Sequence, residues 1–359
     1  MTDISRQEAW QRLLRHSLVE GDLLPTPAPR APWFVRVMLG VAGWIGALFL
    51  LGFVGAAFAF VMKSAAASFV LGALCCGGAY AVFRTAPERD FATQFGLAVS
   101  LAGQAMIATG VFKALDLDKA PAYLIICAIE ALLAGLMPNF IHRLISAWAA
   151  LAALWFGLAQ LGIYGVAPAM AAAACAAIWS SEARWADNPE VWRPLGYGAA
   201  LALLQIDAWS LFDSHAMPRA AASASWLAAH AAAVNAVLIG AVLSWTVWRL
   251  LADQRVSPSG RAGMSAIAAA LLLAAVSSAA PGIASAALIL LLGFARGNRL
   301  LIGLGLCALG GFLSHYYYQM QTTLLVKSAV LAATGFALLV ARAAMRKWFG
   351  ANGAEGTNA

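Results

Sequence analysis

Glu130 interrupts the apolar run AYLIICAIEALLAGLM, and Asp207, beside Gln205, interrupts ALALLQIDAWSLF. Other polar side chains are embedded in similar runs: Gln104, His230, Asn235 and Lys327, with His315, Tyr316, Tyr317 and Tyr318 closing another. An ionisable group in hydrocarbon costs several kcal/mol unless it is paired or hydrated, so each is a candidate site. The chemistry that fits is carriage of a proton or cation by Glu130 or Asp207, with Lys327 as counter-charge. On this reading six helices contribute to one polar pocket, with Gln104, His230, Lys327 and the hydroxyls of Tyr316, Tyr317 and Tyr318 completing it. The other reading is a set of separate structural pairs, with Lys327 snorkelling to the surface.

What must position these residues follows from the composition. The chain has 359 residues, of which 62% are hydrophobic and 11% charged. Soluble domains carry roughly 25% charged residues. A soluble fold of this length lacks the side chains to cover its surface, which excludes a disulfide scaffold, a disordered chain and a nucleic-acid-binding module. What remains is an all-α, polytopic integral membrane bundle. The net charge of +7 forms no basic patch with interleaved aromatics, so no nucleic-acid partner is expected.

One apolar stretch of about 20 residues crosses a bilayer. On that rule about twelve spans are expected: 37–62, 64–83, 91–112, 121–137, 144–161, 163–179, 194–212, 226–251, 263–278, 282–294, 300–317 and 324–340. The ninth and tenth, Gly263 to Phe294, are short and separated by Ala-Ala-Pro-Gly. Two spans, a re-entrant pair and one kinked helix all fit that stretch, and charge favours two. With the N-terminus inside, 18 of the 23 Lys and Arg residues fall on the cytoplasmic side, and Lys63, Lys113, Lys119, Arg219 and Lys327 on the other. That bias places both termini in the cytoplasm. Merging the ninth and tenth spans would put Arg296, Arg299 and the basic tail outside.

Residues 1–32 form an expected cytoplasmic unit. Ile4, Trp10, Leu13, Leu14 and Leu18 recur at near-helical spacing, then GDLLPTPAPRAP makes a Pro-rich linker. The transmembrane domain is expected over 33–342 and a disordered cytoplasmic tail over 343–359. No cleavable signal peptide is expected, because the first apolar run is too long for a signal core. Small residues such as Gly40, Gly43 and Gly46 allow close helix packing.

Catalytic signatures are missing or fail on context. Gly303, Gly305 and Ala308 match G-x-G-x-x-A, but inside an apolar helix with no preceding strand. There is no Walker loop, no H-E-x-x-H and no G-x-S-x-G. Cys75, Cys76, Cys127, Cys175 and Cys307 all lie in apolar runs with no metal-ligand spacing. No enzyme activity, cofactor or metal is therefore expected. Asp116 and Asp118 read as a solvated outer loop, and Ser181–Arg193 as a charged cytoplasmic loop and plausible partner surface.

The segment GNRLLIGLGLCALGGFLSHYYYQMQTTLLVKSAVLAATGFALLVAR, Gly297 to Arg342, resembles the bacterial membrane family catalogued as domain of unknown function 4401. SLAGQAMIATG, Ser100–Gly110, and LVEGDLLP near the N-terminus extend the resemblance. It implies no activity and no catalytic residues. Members stand beside another polytopic family and a small membrane-anchored protein, which implies a multi-component assembly in the bacterial inner membrane. The leading expectation is thus an integral component of such an assembly, in contact with lipid and other membrane proteins. A transporter or channel with an outward-facing polar pocket is the alternative. A membrane enzyme on lipid-linked substrates is a third.

Overall fold

The computed structural model describes residues 3–15, 17, 21, 33–57, 63–115, 119–212, 226–319, 325, 328 and 339. The expected twelfth span, Lys327, the Asp116–Asp118 pair and the C-terminal tail lie outside the described residues. Every regular element among the described residues is helical. Helix α1 covers Asp3–Arg15, α2 Trp33–Ala57, α3 Ala65–Thr85, α4 Asp90–Leu115 and α5 Ala120–Leu136. Then follow α6 Phe140–Gln160, α7 Ala167–Ser180, α8 Pro189–Phe212, α9 Trp226–Ala229 and α10 Ala231–Asp253. The last three are α11 Arg261–Ala279, α12 Ile283–Ala295 and α13 Arg299–Gln319. The first eleven apolar runs each became a helix, the eighth being interrupted at His230 between α9 and α10. Among the described residues five helices, α3, α4, α6, α10 and α13, are long and apolar enough to cross a membrane.

The pairs α3–α4, α5–α6 and α12–α13 run antiparallel, while α6 and α8, with the shorter α7 returning between them, run parallel, so helix ends gather at two rims. One rim collects Arg84, Arg89, Arg143, Arg193, Arg255, Arg261, Arg296 and Arg299 and is called here the basic rim. Three side chains close it. Arg296 donates to the Ser180 carbonyl at 2.6 Å and pairs with Asp253 at 3.5 Å. Asn298 donates to the Tyr197 hydroxyl at 2.7 Å and caps α13 through the amide of Leu300. Arg143 donates to the Glu190 carbonyl at 2.9 Å. Lys63, Lys113 and Lys119 lie at the opposite rim.

The Arg296–Asp253 pair also answers how Gly263 to Phe294 is built. The end of α12 meets the end of α10, next to the start of α11. So α11 and α12 form a hairpin that returns to the basic rim. Its turn needs Gly282 at φ +91°, and a Cβ there would sit 2.7 Å from the Phe312 ring. At 13 residues α12 is about 20 Å long, shorter than the hydrocarbon layer.

Two buried clusters hold the bundle. One joins α3, α4 and α5 through Phe83, Leu97, Ile107 and Ile126, and touches α6 at Ala153. The other surrounds α7, where Ala171, Ala172, Cys175 and Ala176 are fully buried against Leu203, Ile239, Leu288 and Ile289. An alanine-rich helix suits that central place, since small side chains let neighbouring backbones approach.

The start of α8 differs from the sequence expectation. It begins at Pro189, not Pro194, and Pro194 lies inside the helix. The preceding segment, Ser181–Arg193, expected as a charged cytoplasmic loop and plausible partner surface, holds a short 3-10 turn at Glu182–Trp185, with Trp185 stacked on Trp192 at 3.9 Å between ring centroids. A proline in a helix cannot donate to the carbonyl four residues earlier. For Pro194 that carbonyl is Glu190, the one that accepts from Arg143. Arg143 thus fills the vacancy the proline creates. Arg143→Ala is expected to lower stability by about 1 kcal/mol, and Pro194→Ala to recover much of that by restoring the backbone bond. Thermal unfolding of the two single variants and the double variant measures this. Additive effects would refute the coupling.

Candidate functional site

The intramembrane polar residues form two clusters rather than one pocket. The first lies among α4, α5 and α6. Gln104 Nε2 donates to Glu130 Oε2 at 2.9 Å and to Ser146 Oγ at 2.5 Å. Ser146 Oγ lies 3.3 Å from His142 Nδ1, one helical turn away on α6. All four side chains are buried, Ser146 and His142 completely. The carboxyl is therefore held by the uncharged amide of Gln104, from the neighbouring helix α4. Glu130 is about 9 Å from the end of α5 at 1.5 Å per residue, so it sits between the middle of the bundle and the basic rim.

Local sequence explains how α6 brings His142 there. Asn139 adopts an extended backbone and its Oδ1 accepts from the His142 amide at 3.0 Å. This cap starts the helix and turns the chain inward after Pro138. His142 and Ser146, four apart, then share a face. The Phe83 ring meets the imidazole edge-on at 6.4 Å between centroids.

The second cluster lies among α8, α10 and α12. Asp207 is 1% exposed and faces the side chains of Ser285 and Asn235. Asn235 also lines a pocket of about 220 Å³ near the rim opposite the basic one. Its walls include Trp155, Ile163, Tyr164, Pro168, Ile206 and Pro281. Tyr316 donates to the carbonyl of Pro281, one of these walls, at 2.7 Å. Gly165, at φ +78°, lets the α6–α7 turn close this pocket against α10, since a Cβ there would lie 2.5 Å from the Ala231 carbonyl. An aromatic ladder of Tyr123, Phe156, Trp155 and Trp209 backs the same end.

The remaining candidates fall elsewhere. His230 is exposed, stacked on Trp226 and bonded to its carbonyl at 2.9 Å, away from both clusters. Tyr317 and Tyr318 pack against each other at the end of α13, with Tyr318 78% exposed. Lys327 lies outside the described residues. Ser146, His142 and Ser285 were not singled out from the sequence. The four-residue spacing of His142 and Ser146 at the start of an apolar helix is the signal that would have found two of them.

The fold and these buried groups define an all-helical protein of membrane type, with carboxyls embedded between apolar helices. The chain belongs to the family described as Domain of unknown function (DUF4401), whose model matches residues 32–348. No curated protein and no solved structure shows a significant match to it.

Proposed function

We propose that this protein binds a small cationic solute in the pocket beside Asn235 and moves it across the bacterial inner membrane, as one component of a larger membrane assembly. The observation that carries the reading is the pocket itself. Its walls are apolar and aromatic, with Asn235 as the polar contact and the Asp207 carboxyl directly behind. Aromatic faces and a nearby carboxylate favour a cation with an apolar body over a neutral or anionic solute. The gathering of arginines at one rim supports cytoplasmic termini and an even number of spans, about twelve. The opposite rim, where the pocket lies, then faces outward. The family resemblance supports the assembly, and its proposed partners are a second polytopic protein and a small membrane-anchored one.

The test uses purified full-length protein and a panel of primary to quaternary ammonium ions. Ligand at a hundredfold over Kd stabilises the folded state by about 2.7 kcal/mol, a shift thermal unfolding resolves. At least one ion is expected to raise the Tm of the wild type and to leave that of Asp207→Asn unchanged. No shift across the panel, or an equal shift in the variant, refutes the reading. Purification in mild detergent with quantification of co-purifying proteins tests the assembly. Repeated isolation of the chain alone argues against it.

A further inference from the structure

We propose that the tryptophan-lined cavity at the basic rim is a binding site for the phosphate headgroup of an acidic phospholipid. The inference concerns the start of α8 and does not depend on a solute in the pocket beside Asn235. It needs only that the basic rim lies at a bilayer surface.

The cavity has a volume of about 200 Å³. It is lined by Trp179 near the end of α7, Trp185 of the 3-10 turn, and Trp192 and Arg193 of α8, with Ile178 and Pro189. Trp185 and Trp192 lie face to face, 25° from parallel, and Trp179 meets Tyr197 edge-on at 5.0 Å between centroids. These ring contacts build the walls from within the protein. A cavity below the ~300–1,000 Å³ of a drug-sized pocket takes a headgroup, not a whole lipid.

Three features set the chemistry of the occupant. First, the Nε1 atoms of Trp179 and Trp185 are buried and have no hydrogen-bond partner among the described residues. An indole N–H only donates, and a buried donor without an acceptor costs free energy. The occupant that fits therefore brings acceptor oxygens. Second, Arg193 adds a guanidinium, whose fork of donors matches a phosphate. Third, α8 begins at Pro189, a wall residue, so the positive end of a 24-residue helix lies beside the cavity. The nearby acids do not oppose this from inside, since Asp187 and Glu190 are exposed and neither lines the cavity.

Two sources carry such a phosphate, a phospholipid and a soluble phosphate ester. Position and walls favour the lipid. Tryptophans and arginines gathered at one rim are the residues that sit at headgroup level. Basic pockets between helices at a membrane surface take acidic headgroups. Ile178, Pro189 and the indole faces offer apolar area to the start of an acyl chain, which a soluble ester lacks.

The experiment is native mass spectrometry of the full-length protein in detergent, titrated with dioleoyl-phosphatidylglycerol. The wild type is expected to hold one such lipid at least tenfold more tightly than dioleoyl-phosphatidylcholine. Trp185→Phe keeps a ring for the stack and removes the N–H, and Arg193→Gln removes the charge. Each is expected to weaken the phosphatidylglycerol complex about tenfold, as loss of a hydrogen bond to a charged group does. Arg84→Gln, at the same rim on α3, keeps wild-type binding. If Trp185→Phe does not fold, Arg193→Gln carries the test, since Arg193 is exposed. Equal binding of the two lipids overturns the proposal, and so does wild-type affinity in Arg193→Gln. An equal loss in Arg84→Gln shows diffuse rim charge in place of a site and also overturns it. Glycerol 3-phosphate is expected to leave the bound lipid in place. Its displacement of the lipid at similar concentration assigns the site to a soluble ester and refutes the lipid.

Discussion

Gly103→Val is expected to remove most of the folded protein from a detergent extract, while Gly96→Ala leaves it nearly intact. Gly96, Gly103 and Gly110 recur every seventh residue along α4, so they lie near one face. The three are not equivalent. A Cβ on Gly103 would lie 2.7 Å from the Gly72 carbonyl oxygen and 2.9 Å from both Cys75 Cβ and Cys76 Sγ. The approach is mutual, since a Cβ on Gly72 would lie 2.5 Å from the Gly103 oxygen. Backbone cannot rotate aside as a side chain can, so the two helices must part. At Gly96 the nearest atoms are side-chain carbons of Phe83 and Val82, at 3.3 and 3.4 Å, which yield by small rotations. Overpacking typically costs 1–3 kcal/mol and more where backbones are forced apart. We expect about 3 kcal/mol or more for Gly103→Val, equivalent to a drop in Tm of roughly 6–12 °C, and under about 1 kcal/mol for Gly96→Ala. Gln104 is the next residue, so parting α4 from α3 also strains the bonds to Glu130 and Ser146. Thermal unfolding in detergent decides the matter, and equal losses at the two glycines would sink the argument.

The same pair of helices shows what the sequence could and could not disclose. Apolar runs between charged or Pro-containing breaks located eleven helices, because burial in lipid demands length and hydrophobicity and little else. Depth along a helix was also legible, which is why Glu130 and Asp207 stood out. Azimuth was not. Which helices touch depends on stripes of small residues meeting across an interface, and Leu, Ala and Gly fill every span of this chain. A list of polar residues at similar depth therefore left one pocket and separate pairs both open, whereas the packing separates Gln104 and Glu130 from Asp207 and Asn235. His230 faces outward for the same reason, stacked on the Trp226 four residues before it. Ser146 was silent because a serine in a membrane helix ordinarily satisfies itself on the preceding turn. Pro194 misled in a different way. Proline is favoured at the first position of a helix, and here Pro189 holds that position while a guanidinium from α6 makes the second proline tolerable.

Gln104→Leu is the variant in which fold and candidate site are most tightly coupled, and its effect should exceed that of an ordinary interhelical hydrogen bond. Such bonds in membrane proteins average about 0.6 kcal/mol, because the unfolded chain in the bilayer finds other partners. Gln104 makes two at once, to side chains on two different helices that are both more than nine-tenths buried. Its loss strands the Glu130 carboxyl and leaves the Ser146 hydroxyl with His142 Nδ1 alone, and leaving a buried group unsatisfied costs about 1–3 kcal/mol. We expect about 2 kcal/mol of destabilisation, near the upper end for such bonds. The double variant Gln104→Leu, Glu130→Leu tests the cause. Replacing both partners with apolar side chains removes the stranded carboxyl, so the double variant should be more stable than Gln104→Leu alone. A purely steric role for Gln104 predicts the reverse, because a second leucine adds bulk and restores nothing. Recovery of stability without recovery of function would show that these polar groups are kept for what they do, and that an apolar bundle of the same shape would hold together without them.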